Sequence, residues 1–166
     1  MKHTPIKAIE QIATIEDRSR AIVFFLFFSR FEYALKRAGY VAASEEAKAD
    51  WNRYARENPA MFEKILASSA GKAAAFLQSA PPKKQVVTDR RLDWKVDNYS
   101  AKFDLERLFT LVRRIRNNLF HGGKFPAGPE EELSRDQRLL DAGLAIMQVC
   151  LDQDLRLQSY FLEELL

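Results

Sequence analysis

Along most of the chain, apolar residues recur at spacings of three and four, and no run alternates long enough to read as a strand. That periodicity predicts an all-α protein, a helical bundle of about five to seven helices around a four-helix core. From Pro5, the residues Ile6, Ile9, Ile12 and Ala13 share one face of a short amphipathic helix. The densest apolar run follows: Ala21, Ile22, Val23, Phe24, Phe25, Leu26, Phe27 and Phe28, between Arg20 and Arg30. At this length it is too short to span a membrane. An unbroken apolar run also covers every side of a helix. Either it passes through the centre of the bundle, or a second subunit covers its outer side. The helix continues through Phe31, Tyr33, Ala34 and Leu35 to a stop at Gly39.

Ser44, followed by Glu45 and Glu46, reads as an N-cap with acids in the first turn of a helix that carries Trp51 and Tyr54. Asn58 reads as the cap of another short helix, with Pro59 at its first position and Met61, Phe62, Ile65 and Leu66 along it. Ser68, Ser69 and Gly71 interrupt the pattern, Ala73 to Leu77 resume it, and Pro81-Pro82 ends it. Residues 83–100 lack a helical period and read as a connection pinned to the core by Trp94 and Tyr99, or as a place where an aromatic ring stacks on a base.

A long helix is expected from Ser100 or Ala101, with Leu108, Leu111, Val112, Ile115 and Leu119 as its apolar stripe. Pro129 and Glu130, Glu131 and Glu132 mark the next helix start, where acids suit the positive end of the helix dipole better than they suit a metal. Leu139, Leu140, Leu144, Ile146, Met147 and Leu151 form its core pattern. Near Asp152 the chain breaks into a final short helix through Tyr160, Phe161 and Leu162.

With 166 residues, 47% hydrophobic and 30% charged, the sequence suits a single domain, 1–166, with a substantial core. The lone Cys150 reads as a buried thiol in a reducing compartment. His3 and His121 are the only histidines, no Cys/His cluster has zinc spacing, and neither a metal nor a cofactor is expected. Residues 1–10 lack the apolar core of a secretory signal, so the expected location is cytoplasmic, without a membrane partner. The net charge of +3 conceals a division: residues 83–124 hold 11 basic and 5 acidic side chains, residues 125–166 only 3 basic and 9 acidic. The basic segment attracts phosphate unless the two segments neutralise each other by packing.

The end of the long helix reads Arg113-Arg114-Ile115-Arg116-Asn117-Asn118-Leu119-Phe120-His121-Gly122-Gly123-Lys124. The glycine pair is a helix stop, which puts His121 in the last turn or on the cap. There the partial negative charge of the helix end favours the imidazolium and holds the group near its switching range. On an ideal helix Arg116 and His121 are about 140° apart, so they converge only if the last turn loosens or a second chain supplies the other half. A histidine that takes a 2′-hydroxyl proton and arginines that hold a phosphate make a set suited to RNA phosphodiester cleavage. Spacing alone favours the simpler reading of solvated ion pairs and a capping histidine.

Arg116-Asn117-Asn118-Leu119-Phe120-His121 at the end of a long helix resembles the signature of the HEPN superfamily: an arginine, a polar residue directly after it, and a histidine four to six residues from the arginine. The resemblance implies a helical bundle, metal-independent endoribonuclease action and a homodimer with a composite active site. Arg116 and His121 would then be the catalytic pair and Asn117 the polar position. Arg113, Arg114 and Lys124 would bind flanking RNA phosphates, and Arg30 and Glu32 are candidates to face the pair as phosphate binder and imidazole partner. The resemblance also implies a toxin or phage-defence setting, with an antitoxin or regulatory protein as a further partner. Two other classes fit the same residues. One is an RNA- or nucleotide-binding module without turnover, and the other is an interaction domain whose Phe-rich helix docks a protein.

Overall fold

The computed structural model describes residues 15–96, 102–120 and 130–163. The N-terminal amphipathic segment at Ile6–Ala13, together with Tyr99, His121, Lys124 and the glycine pair, lies outside the described residues. Among those described, seven helices and one two-stranded hairpin follow in the order α1 (Ile15–Arg37), α2 (Trp51–Glu57), α3 (Ala60–Ala67), α4 (Gly71–Ser79), β1 (Lys84–Thr88), β2 (Arg91–Lys95), α5 (Leu105–Phe120), α6 (Glu130–Gln153) and α7 (Leu155–Leu162). The helical bundle read from periodicity is the observed fold. None of these helices is long and apolar enough to cross a membrane.

On α1, Phe24, Phe28, Phe31 and Leu35 are buried, as is Ala38 just past its end, at alternating spacings of four and three that keep one face inward. The helix ends as its sequence predicts. Gly39 takes the left-handed conformation at φ 91°, its N–H bonds Lys36 O, and the Tyr40 N–H bonds Leu35 O, the paired bonds of a Schellman cap. Trp51, at the first position of α2, gathers the core around itself. Its ring stacks on Phe28 and Phe31 at 5.2 and 5.0 Å between centroids and meets Phe109 of α5 edge-on at 5.3 Å. Tyr54, one turn further, lies against Tyr40 and Phe109 and donates its hydroxyl to Asp154 Oδ2 at 3.2 Å. Burial pushes the phenol's pKa well up, so it donates this bond at any ordinary pH. Cys150 is buried, as expected, and burial likewise pushes its thiol up and keeps it protonated.

α1 and α6 pack closely at Gly143. A Cβ built there would stand 2.7 Å from Phe24 Cε2. Phe24 is fully buried and its ring is held on the core side by Phe28. Gly143→Ala is therefore expected to cost about 1–3 kcal/mol in overpacking, which exceeds the roughly 1 kcal/mol that alanine gains in helix propensity. A thermal melt should show a lower midpoint, restored when Phe24→Leu is added; a higher midpoint in the single variant would show that the ring yields freely.

Four expectations are corrected. Ser44 caps nothing: its hydroxyl bonds Glu46 O in a bend, and α2 starts at Trp51 with Asp50 as its cap, Oδ1 accepting from Arg53 N–H at 2.9 Å. Asn58 closes α2 rather than opening α3, with Nδ2 donating to Tyr54 O at 2.9 Å and to Tyr40 Oη at 3.2 Å. The long helix begins at Leu105, where Asp104 Oδ1 accepts from Arg107 N–H at 3.0 Å. Residues 84–95 form an antiparallel hairpin rather than an irregular connection, pairing Lys84 with Lys95 through to Thr88 with Arg91.

Candidate functional site

The core face of α5 consists of Leu105, Leu108, Phe109, Leu111, Val112 and Ile115, all buried. Burying that stripe turns Arg113 and Asn117 outward, carries Arg114 and Asn118 to the adjoining flank, and leaves Arg116, on the track of Phe109 and Val112, at the edge of the buried face with its Nε enclosed. Packing of the stripe therefore decides where each candidate side chain points.

Arg116 lies across α1. Its guanidinium carbon is 5.7 Å from the centroid of Phe28, and Nη1 donates to Asn117 Oδ1 at 3.1 Å. A flat cation on an aromatic face is attracted by the ring quadrupole and keeps its edge available for in-plane hydrogen bonds. Arg113, one turn earlier, leans toward α2, with Nη2 3.5 Å from Asn52 Oδ1. Burial pulls its pKa down, and the carboxylates of Glu32 and Asp50 pull it back up. It remains a cation, partly stripped of water, which strengthens its field toward an incoming anion.

The structure separates the two α1 residues expected beside the motif. Glu32 accepts from Trp51 Nε1 at 2.9 Å and acts electrostatically on Arg113. Arg30 turns to the end of α7, where it donates to Phe161 O at 2.6 Å, to Tyr160 O at 3.4 Å and to Glu163 O. Its described contacts are with α7 and with Tyr33, not with α5. Arg114 points away from Arg113, with Nη1 3.5 Å from Pro82 O at the approach to the hairpin. The two arginines therefore attend different sides of the same helix. His121 and Lys124 lie outside the described residues.

Two participants escaped sequence reading. Asn52 is an ordinary polar residue on a short helix, with nothing in the sequence to link it to Arg113. Asn118 did leave a signal. It falls on the track of Leu111 and Ile115, and a buried amide on an apolar stripe requires a partner. It is 5% exposed, and Nδ2 donates to Lys83 O at 2.8 Å, which ties the base of the hairpin to the last turn of α5.

Among the described residues an open cavity lies elsewhere, at Tyr40, Asn58, Lys64, Asp154 and Arg156, where both signs of charge mix. Among the described residues, no group of three or more His, Cys, Asp or Glu side chains is placed to hold a metal ion. Compared with protein-family models, with curated proteins and with solved structures, the chain matches none of them.

Proposed function

We propose that the chain is a metal-independent endoribonuclease of the HEPN type, acting as a homodimer. The observation that carries this reading is the setting of Arg116 against α1 near the end of α5. It is braced on Phe28, bonded to Asn117 Oδ1, and followed in sequence by a histidine at the spacing the resemblance requires. In the proposed reaction, His121 removes the proton of a ribose 2′-hydroxyl, and the 2′-oxygen attacks the adjacent phosphorus in line. The P–O5′ bond breaks, leaving a 2′,3′-cyclic phosphate and a 5′-oxygen that takes a proton from water, while the imidazolium returns its own to solvent. Arg116 offsets the charge that builds on the non-bridging oxygens, Asn117 positions the phosphate, and Arg113 adds a partly desolvated cation beside them.

The test is cleavage of total RNA and tRNA by purified protein in excess EDTA, beside Arg116→Ala and His121→Ala. Cleavage by the wild type, lost in both folded variants, is the expected result. Absence of wild-type cleavage, or equal cleavage by all three, would overturn the reading and leave a binding module.

The dimer is supported by the outer face of α1. Ile22, Val23 and Leu26 are 58, 54 and 61% exposed and Phe25 is 38% exposed, a contiguous apolar patch one turn from the Phe28 that carries Arg116. Patches of this kind mark association surfaces. Leu26→Asp touches no core contact and should leave the monomer's stability within about 0.5 kcal/mol. In sedimentation it is expected to give a monomer, with RNA cleavage lost. A wild type that sediments as a monomer at assay concentration would remove the composite site.

A further inference from the structure

The hairpin breaks two local rules that a merely structural connection would keep. Its two-residue turn requires positive φ at both positions, where glycine and asparagine are favoured, yet it holds Asp89 at 48° and Arg90 at 62°. A bulky cation in the left-handed region is strained. At the other end, the register sets Lys84 directly opposite Lys95, and like charges placed opposite one another weaken a strand pair. Departures of this kind from local consistency concentrate at functional sites.

What they achieve is a concentration of positive charge. Strand alternation puts Lys84, Arg91 and Lys95 on one face, with Asp93 between the last two, Arg90 at the tip and Lys83 at the base; Asp89 is the other acid of the ribbon. None of the five cations is in an ion pair among the described residues. The ribbon is also anchored to the candidate site. Asn118, next in sequence to Asn117, holds Lys83 O at 2.8 Å, and Arg114 reaches Pro82 O. Around the last turns of α5, Arg116, Arg113, Asn117, Arg114 and Asn118 follow one another, so an RNA strand leaving the Arg116–Asn117 phosphate position on that flank meets the base of the hairpin next. From Lys84 to Thr88 the ribbon extends the basic surface by about 13 Å.

We infer that the hairpin is the substrate grip, a cationic ribbon that holds the phosphates of single-stranded RNA flanking the bond at Arg116. This rests on the ribonuclease reading for the cleavage half of its test, and on RNA binding alone for the other half. The charge is spread along a backbone-facing row, so the grip is indifferent to base identity and sensitive to salt. Asn118 is a positioning residue: it fixes the ribbon to the motif helix and touches no substrate.

The experiment compares the wild type with the triple variant Lys84→Gln, Arg91→Gln, Lys95→Gln and with Arg90→Gly. The binding probe is a 2′-O-methyl oligoribonucleotide of about 16 nucleotides, which has no free 2′-hydroxyl and is not cleaved. In fluorescence anisotropy the triple variant should bind at least ~10-fold more weakly, and its log K against log salt should be shallower by about 2, from three lost contacts at about 0.7 each. Arg90→Gly should melt higher than the wild type, because the strain is relieved, yet bind more weakly; a purely structural turn would not separate the two. In cleavage, KM for long RNA should rise while kcat, and turnover of a dinucleotide too short to reach the ribbon, stay unchanged. A wild type that binds but does not cleave overturns the ribonuclease reading and leaves the grip to be decided by the binding arm. Equal affinity and equal salt slope in the triple variant, or no RNA binding by the wild type, overturns the grip and leaves the ribbon as a contact for another protein.

Discussion

Arg116→Ala is expected to lower kcat/KM for RNA cleavage by about 10²–10³-fold, the usual loss when one donor to a developing oxyanion is removed. The effect should fall mainly on kcat. A bridging phosphate already carries charge in the ground state, but the geometry that uses both edges of the guanidinium arises as phosphorus becomes five-coordinate. Arg116→Lys should recover little of the loss, since an ammonium supplies a point charge without the planar fork that rests on Phe28. Stability should barely move. Among the described contacts, those given up are the ring face of Phe28 and the bond to Asn117 Oδ1, together about 1 kcal/mol at a partly exposed site, or a drop in Tm of roughly 2–4 °C in a chain of this size. A variant that loses cleavage only in proportion to lost folded protein would show that Arg116 serves the fold alone.

How much of this was legible in the sequence depends on the range of the forces involved. The stop of α1 at Gly39 and the break before α7 are local: one is a glycine that accepts a left-handed φ, the other an aspartate at 154 whose carboxylate takes the Leu157 N–H at 3.0 Å. Ser44 misled because serine with two following acids looks like a cap, whereas the helix begins where burial of Trp51 fixes it, and Asp50 is the nearest side chain able to take the free N–H. The hairpin was illegible for a different reason. Asp-Arg is a poor signal for a turn that requires two positive φ values, and Val87 and Leu92, paired and each 72% exposed, show no inward alternation. At the candidate site, helix period alone sufficed to put Arg113 and Asn117 on the outward arc of α5, whereas Arg116 shares the track of Phe109 and Val112 and lies at the edge of the buried face. Their neighbours Phe28, Asn52 and Glu32 arrive from other helices, and the division between Glu32 near Arg113 and Arg30 on α7 reflects the rotation of α1 about its axis. A run that is apolar on every side does not specify that rotation.

That rotation is held by Trp51, and Trp51→Ala is the substitution expected to damage the protein most. The indole is buried among Phe28 and Phe31 of α1 and Phe109 of α5, and its Nε1 satisfies Glu32. Emptying that space should cost about 3–5 kcal/mol, a large part of the 5–15 kcal/mol typical of a whole domain, and lower the melting midpoint by roughly 6–20 °C. Trp51→Phe separates the two contributions. The phenyl ring keeps most of the stacking and loses only the N–H, and because Glu32 is half-exposed, water can take that bond, so the cost should stay below about 2 kcal/mol. Denaturant unfolding of both variants decides the matter; an alanine cost under 1 kcal/mol would mean that the aromatic cluster closes over the gap and does not set the rotation of α1. The contrast with Arg116→Ala carries the functional content. Trp51 touches neither Arg113 nor Arg116 in any described contact, but it joins the helix that presents Phe28 to the helix that presents Arg116. Its loss should remove cleavage and stability together, whereas loss of Arg116 removes cleavage and leaves the fold standing.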